Sequence, residues 1–323
     1  MRAKSKSFLF VTAVVMSFSC AASAQTFIDP SRTTTAVDQT GGNNPVLKAK
    51  KPEQVTLRDE LENFAPASPG DNDLGQQLIL RRKEHNNPWH VSVDSSYFWT
   101  DNAANVNRAK VDDWFFAGGV NIGYQPRIGK RVFLDLNVGQ HWFQYNKVSE
   151  LDFQSGEASA GLIMVMPELA NTVFYVNYYY QRLTRDLSEE PIFNNHSIRV
   201  GAQKTFLINR LNSFNLGAQA SFALNSEPVE LTRNEYSFNA GYSFKIMRGL
   251  FLNASYRISY FDYYEFEGRK DWWQSASVSL TYQPKTWLEI SASYNYTFND
   301  SNLTVFDYQT QLAGPAVALK MKF

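Results

Sequence analysis

The chain has 323 residues, 44% of them hydrophobic and only 19% charged, with 31 basic against 31 acidic side chains, so no basic excess points to nucleic acid. A single Cys excludes a disulfide scaffold or a thiolate metal cluster, and outside the N-terminal segment no apolar run approaches the roughly 20 residues of a membrane-spanning helix. Aromatics make up 15% of the chain, yet its mean hydropathy is −0.36: Ser, Asn, Gln and Gly dilute them, rather than the roughly 25% charged residues of an ordinary soluble domain.

Arg2, Lys4 and Lys6 precede an apolar stretch from Phe8 to Phe18, followed by Ala22-Ser23-Ala24 before Gln25. This is the three-part pattern of a secretory signal peptide over residues 1–24. Cleavage there removes Cys20 and three basic residues, leaving a slightly acidic chain without Cys, suited to an oxidising compartment. Residues 25–87 collect breakers and charge clusters, among them Gly41-Gly42-Asn43-Asn44-Pro45 and Arg81-Arg82-Lys83-Glu84. They predict a largely irregular periplasmic extension, a plug or a docking arm for a periplasmic partner.

From Trp89 onwards the hydrophobic period is two. Trp89, Val91, Val93, Ser95, Tyr97 and Trp99 alternate with mostly polar neighbours, Phe98 excepted, and so do Phe214 to Leu224, Tyr236 to Phe244, Leu252 to Tyr260, Ala276 to Tyr282 and Leu288 to Tyr296. These segments run to about 10 residues or more, the length of a tilted membrane-crossing strand. One face carries Ala, Val and Leu between terminal Tyr and Trp, as a lipid-facing band with interfacial aromatics would. The other carries Ser, Gly, Asn and Gln and is assigned to a lumen. Counting hairpins gives about 12 strands, centred near residues 94, 119, 138, 160, 177, 201, 219, 240, 256, 278, 292 and 318. Short turns around Pro126, Pro167, Gly249 and Pro284 are expected to alternate with longer acidic loops at 101–112, 185–195, 225–234, 262–271 and 299–308. The predicted fold is therefore all-β: an antiparallel up-and-down transmembrane barrel over residues 88–323, with both ends in the periplasm.

The chain ends Val317-Ala318-Leu319-Lys320-Met321-Lys322-Phe323. Val317, Leu319, Met321 and Phe323 share one face, and the run resembles the terminal signal read by the barrel assembly machinery of Gram-negative outer membranes. Pro315 is placed at the start of this strand. Tyr97-Phe98-Trp99-Thr100-Asp101-Asn102 is similar to the first hairpin of β-barrel porins associated with exopolysaccharide export, which tilts the expected solutes towards saccharides. These resemblances imply outer-membrane lipid, lipopolysaccharide and the assembly machinery as partners.

Some such barrels are enzymes, which makes the histidines candidates for catalytic groups. In outer-membrane phospholipase A, His and Ser stand two residues apart on one face; here His196 is followed at once by Ser197, on the opposite face, and the pattern fails. His141 shares its inward parity with Asp135 and, two strands away, Asp94, which offers a His and carboxylate for general-base chemistry; such residues more commonly polarise an interior. His spacing predicts no metal site, and no cofactor motif is present. By parity the lumen receives Asp94, Asp135, Arg199, Arg257 and Glu289, with Lys320 and Lys322 near its periplasmic rim. Tyr175, Tyr179, Phe261 and Trp273 are candidates for stacking on sugars, and Gly119, Gly139, Gly201, Gly217 and Gly241 are expected to leave room for water, solute or the N-terminal segment. The sequence thus points to a porin-like channel for small polar solutes or saccharides; a lipid- or lipopolysaccharide-modifying enzyme and a structural or export-complex barrel are the alternatives.

Overall fold

Twelve antiparallel strands close on themselves in a computed structural model that describes residues 87–186 and 190–323. They are β1 (Trp89–Thr100), β2 (Asp113–Tyr124), β3 (Val132–Tyr145), β4 (Phe153–Met166), β5 (Thr172–Thr184), β6 (Phe193–Leu207), β7 (Asn212–Glu227), β8 (Arg233–Met247), β9 (Leu250–Tyr263), β10 (Arg269–Lys285), β11 (Leu288–Ser301) and β12 (Tyr308–Lys322). Each strand pairs with its sequence neighbours, and β12 returns to β1. The signal peptide and the extension up to residue 86 lie outside the described residues.

Period-two alternation decides which side chains point inward. Val138, Val278 and Leu280 on the outer face are 61%, 50% and 44% exposed, whereas Asp94, Asn121 and Thr297 on the inner face are 5%, 1% and 0% exposed. An apolar exterior around a polar interior inverts the soluble arrangement and fits lipid outside. Aromatic pairs flank the apolar outer band at both ends: Trp89 with Tyr124 at 4.5 Å and Tyr97 with Trp114 at 5.2 Å. Among the described residues no helix is long and apolar enough to cross a membrane, which says nothing about crossing by strands.

The strands are 12 to 17 residues long and extend into segments expected to be loops. β7 runs on to Glu227, β8 starts at Arg233 and β10 at Arg269, which shrinks the connections there to residues 228–232 and 264–268. Only 101–112 has the expected length. In β7, Leu224 is skipped between the partner pairs His196 with Asn225 and Ser197 with Ala223. This bulge reverses the parity beyond it and turns Ser226 inward. Pro315 lies mid-strand in β12 rather than at its start. It falls in a gap of the β1 ladder, between the pairs Ser96 with Ala316 and Trp99 with Ala313, where no N–H is required.

Closure is sealed where the first strand meets the last, with Trp89 and Phe323 exchanging backbone hydrogen bonds of 3.1 and 3.2 Å. Val317, Leu319, Met321 and Phe323 share the outer parity of β12. Among the described residues no edge strand is left to pair with another chain.

Candidate functional site: the barrel interior

Polar residues laid flat against the wall make up much of the interior. Gly119, on β2, pairs with Asp94 on β1 and His141 on β3, and Asp94 Oδ1 and His141 Nδ1 both reach over it. Asn121 lies over Gly139, Tyr175 over Gly201, Asn239 over Gly217 and Asn215 over Gly241. The room left by these glycines is therefore taken by the neighbouring strand's polar side chain, not reserved for solute. A Cβ added at these glycines would meet that side chain, which would have to shift.

Asp94 and His141 are brought together, with Ser155 the next cross-strand neighbour of His141. Ser155 Oγ donates to Glu157 Oε1 at 3.4 Å rather than to the imidazole. Asp135 does not join them: six residues along β3, it stands about 20 Å away and accepts from Gln125 Nε2 at 3.3 Å. His196 faces outward, its Nδ1 2.5 Å from the Tyr178 hydroxyl.

Across the interior, β5 to β10 carry arginines on aromatic rings. The Arg199 guanidinium lies 3.2 Å from the ring centre of Tyr179, that of Arg233 3.8 Å from Phe261, and that of Arg257 5.8 Å from Trp273. Such stacking stabilises by about 0.5–2 kcal/mol. The faces of Tyr179, Phe261 and Trp273 thus meet guanidinium, and all three rings are buried. Tyr175 stands apart and donates to Gln219 Oε1 at 2.8 Å. Arg257 is ion-paired with Glu235 at 2.8 Å. Arg269 holds Asp271 in a two-point contact, Nε to Oδ1 at 3.0 Å and Nη2 to Oδ2 at 2.5 Å, supported by Asn299. Glu157, Arg233, Glu235, Arg269 and Asp271 are charged inner-face residues that the sequence reading missed. Parity extended through the true strand ends would have found them. Glu289 sits at the rim carrying the chain ends, with Lys320 at 2.7 Å and Gln283 at 2.9 Å.

At the opposite rim the inner face turns apolar. Phe98, Phe115, Phe143, Phe153, Leu183, Phe193 and Leu312, from β1 to β6 and β12, form one buried cluster. Phe261, Tyr263, Trp273 and Tyr308 form a second. Phe143 and Phe153 stack at 4.4 Å. The interior is thus polar through its middle and carries an aromatic collar at its loop end.

No protein-family model matches the sequence, and no curated protein matches it. Among solved structures, the barrel is similar to a crystal structure of an outer membrane channel from Pseudomonas putida F1, with a TM-score of 0.52 and 9% identity, covering 79% of this chain and 100% of that one. The fold is that of an outer-membrane β-barrel. The NanC porin overlays with a TM-score of 0.42 and 7% identity over 72% of this chain and 100% of that chain. At these identities the likeness is one of fold.

In this outer-membrane barrel fold the loop rim is clasped by an ion pair. Lys147 Nζ donates to Asp112 Oδ2 at 2.8 Å. That hydrogen bond, helped by the lysine's charge, holds the Asp112 carboxyl below its ordinary value, and reciprocally raises Lys147. Among the described residues no group of three or more His, Cys, Asp or Glu is placed to hold a metal ion.

Proposed function

We propose that the protein is a porin-like channel for small polar solutes or saccharides in the outer membrane of a Gram-negative bacterium. The reading places both ends of the barrel in the periplasm after cleavage near Ala24, with the loop rim and its collar facing outside. The observation that carries it is the chemistry of the inner wall. Asn121, Asn137, His141, Asn177, Gln203 and Asn215 all hold buried polar atoms without a hydrogen-bond partner among the described residues. Polar atoms inside a fold are ordinarily satisfied by protein or water, so an inner wall this rich in open amides suits an interior that exchanges hydrogen bonds with water and passing solute. The channel is expected to give discrete ion conductance in planar bilayers when refolded in heat-modifiable form, with and without residues 25–87. Silence from both preparations would overturn this reading.

The meeting of Asp94 and His141 beside Ser155 favours one second reading, a hydrolase acting on lipid or lipopolysaccharide. It requires turnover that disappears in His141→Ala. Turnover that survives the substitution would remove His141 from the chemistry.

A further inference from the structure

We propose that the inner wall of β6 to β10 binds an oxyanion, the carboxylate or phosphate of a solute in transit. This rests on the channel reading and names the class of solute that the channel favours.

The argument begins with groups that can only donate. Arg199 Nε and Trp273 Nε1 are buried and have no hydrogen-bond partner among the described residues. Guanidinium and indole N–H groups have no acceptor lone pair to offer, so only an acceptor can satisfy them. Each has a buried hydroxyl nearby: Ser197 stands two residues from Arg199 on β6 and pairs with Tyr179, on whose ring Arg199 lies, and Ser259 is the cross-strand partner of Trp273. Ser197 and Ser259 are 1% and 0% exposed, and both Oγ atoms also lack a partner. Two buried donors and two buried hydroxyls left open on one wall are costly in a low-dielectric interior unless an acceptor arrives.

Charge points the same way. Arg199, Arg233 and Arg257 all act on Glu235, and Arg257 bonds it. Glu157 acts on the Tyr179 hydroxyl from β4. Three guanidiniums against these two carboxylates leave a positive excess on this wall, where stacking on Tyr179, Phe261 and Trp273 holds the cations in place. The positive excess disfavours a cation although open amide oxygens stand nearby on Asn177, Gln203 and Asn215, and a neutral polyol would satisfy the hydroxyls but not the charge. An oxyanion satisfies both.

The test uses the full mature chain. In planar bilayers under a potassium chloride gradient, the wild-type channel is expected to favour chloride, and inorganic phosphate is expected to block the current where glucose does not. Trp273→Phe keeps an aromatic side chain and removes the N–H; Arg199→Gln removes a charge. Each is expected to weaken phosphate block about tenfold, the size of one charge-assisted hydrogen bond. Calorimetric titration of phosphate into the detergent-folded barrel gives a second measurement that needs no current. Conductance with cation preference, or phosphate block and binding equal in wild type and Trp273→Phe, would overturn the oxyanion site while the channel reading stood. Absence of conductance would sink the channel reading, and the titration would still decide the site.

Discussion

Asp94 Oδ1 and His141 Nδ1 share the space above Gly119, each inside the van der Waals reach of the point a Cβ there would occupy. Gly119→Ala must therefore push one of two buried polar groups off the wall. Overpacking of this kind costs about 1–3 kcal/mol, readable as a lower urea midpoint of the folded barrel. Adding His141→Ala should recover most of the loss. If the single Gly119 variant is as stable as wild type, the close approach is not a constraint.

Arg269 and Asp271 should behave as an inseparable unit. Their side chains are 8% and 1% exposed, so Arg269→Met leaves a buried carboxylate without its counter-charge, at a cost of about 3–5 kcal/mol. Asp271→Asn placed on top should restore part of that stability. A double variant no better than the single one would count against charge burial as the cause.

The aromatic collar predicts opposite effects on stability and flow. Phe143→Ala removes a buried ring from the cluster and should cost about 3–5 kcal/mol, while single-channel conductance rises because the mouth widens. Unchanged conductance in a folded variant would show that the collar is not the narrowest part of the path.

At the loop rim, the lowered Asp112 contributes stability that is present above its ordinary pKa of 3.8 and is lost as pH falls through the lowered value. Lys147, raised above 10.5, contributes below that value and loses its part as pH rises through the raised one. The clasp should therefore hold across the neutral range and open at both extremes. An NMR titration of the Asp112 carboxyl should show its midpoint rising in Lys147→Met, and an unmoved midpoint would remove the lysine as the cause.

Phe323 joins the last strand to the first through its backbone, while its ring stands outside at 60% exposure. Phe323→Ser keeps the backbone bonds. It should reduce the yield of heat-modifiable barrel in cells, while barrel that does form unfolds at an unchanged urea midpoint.

The strands and their facing were legible because a barrel between lipid and water makes every second residue change solvent, a contrast that survives even where propensities are weak. Legibility failed where that contrast vanished. Around Tyr97-Phe98-Trp99 and Trp114-Phe115-Phe116 both faces are aromatic, so the outer girdle concealed the inner collar. Arg233 and Arg269 fell in stretches whose charge read as loop, although paired strand continues through them. The convergence of Asp94 on His141 depends on the registers of two hairpins at once, and a linear sequence displays parity without register. The bulge at Leu224 was equally hidden, since the apolar alternation runs up to it unbroken.

The glycines also alter what strand number means for this barrel. A residue that folds its polar head over a neighbouring glycine thins the wall locally; the same residue beside alanine must stand up into the interior. Bore is then set by where the glycines are dealt along twelve strands as much as by how many strands there are. Homologous barrels could widen or tighten their passage by moving a glycine one pair along, without changing circumference, tilt or the lipid-facing surface.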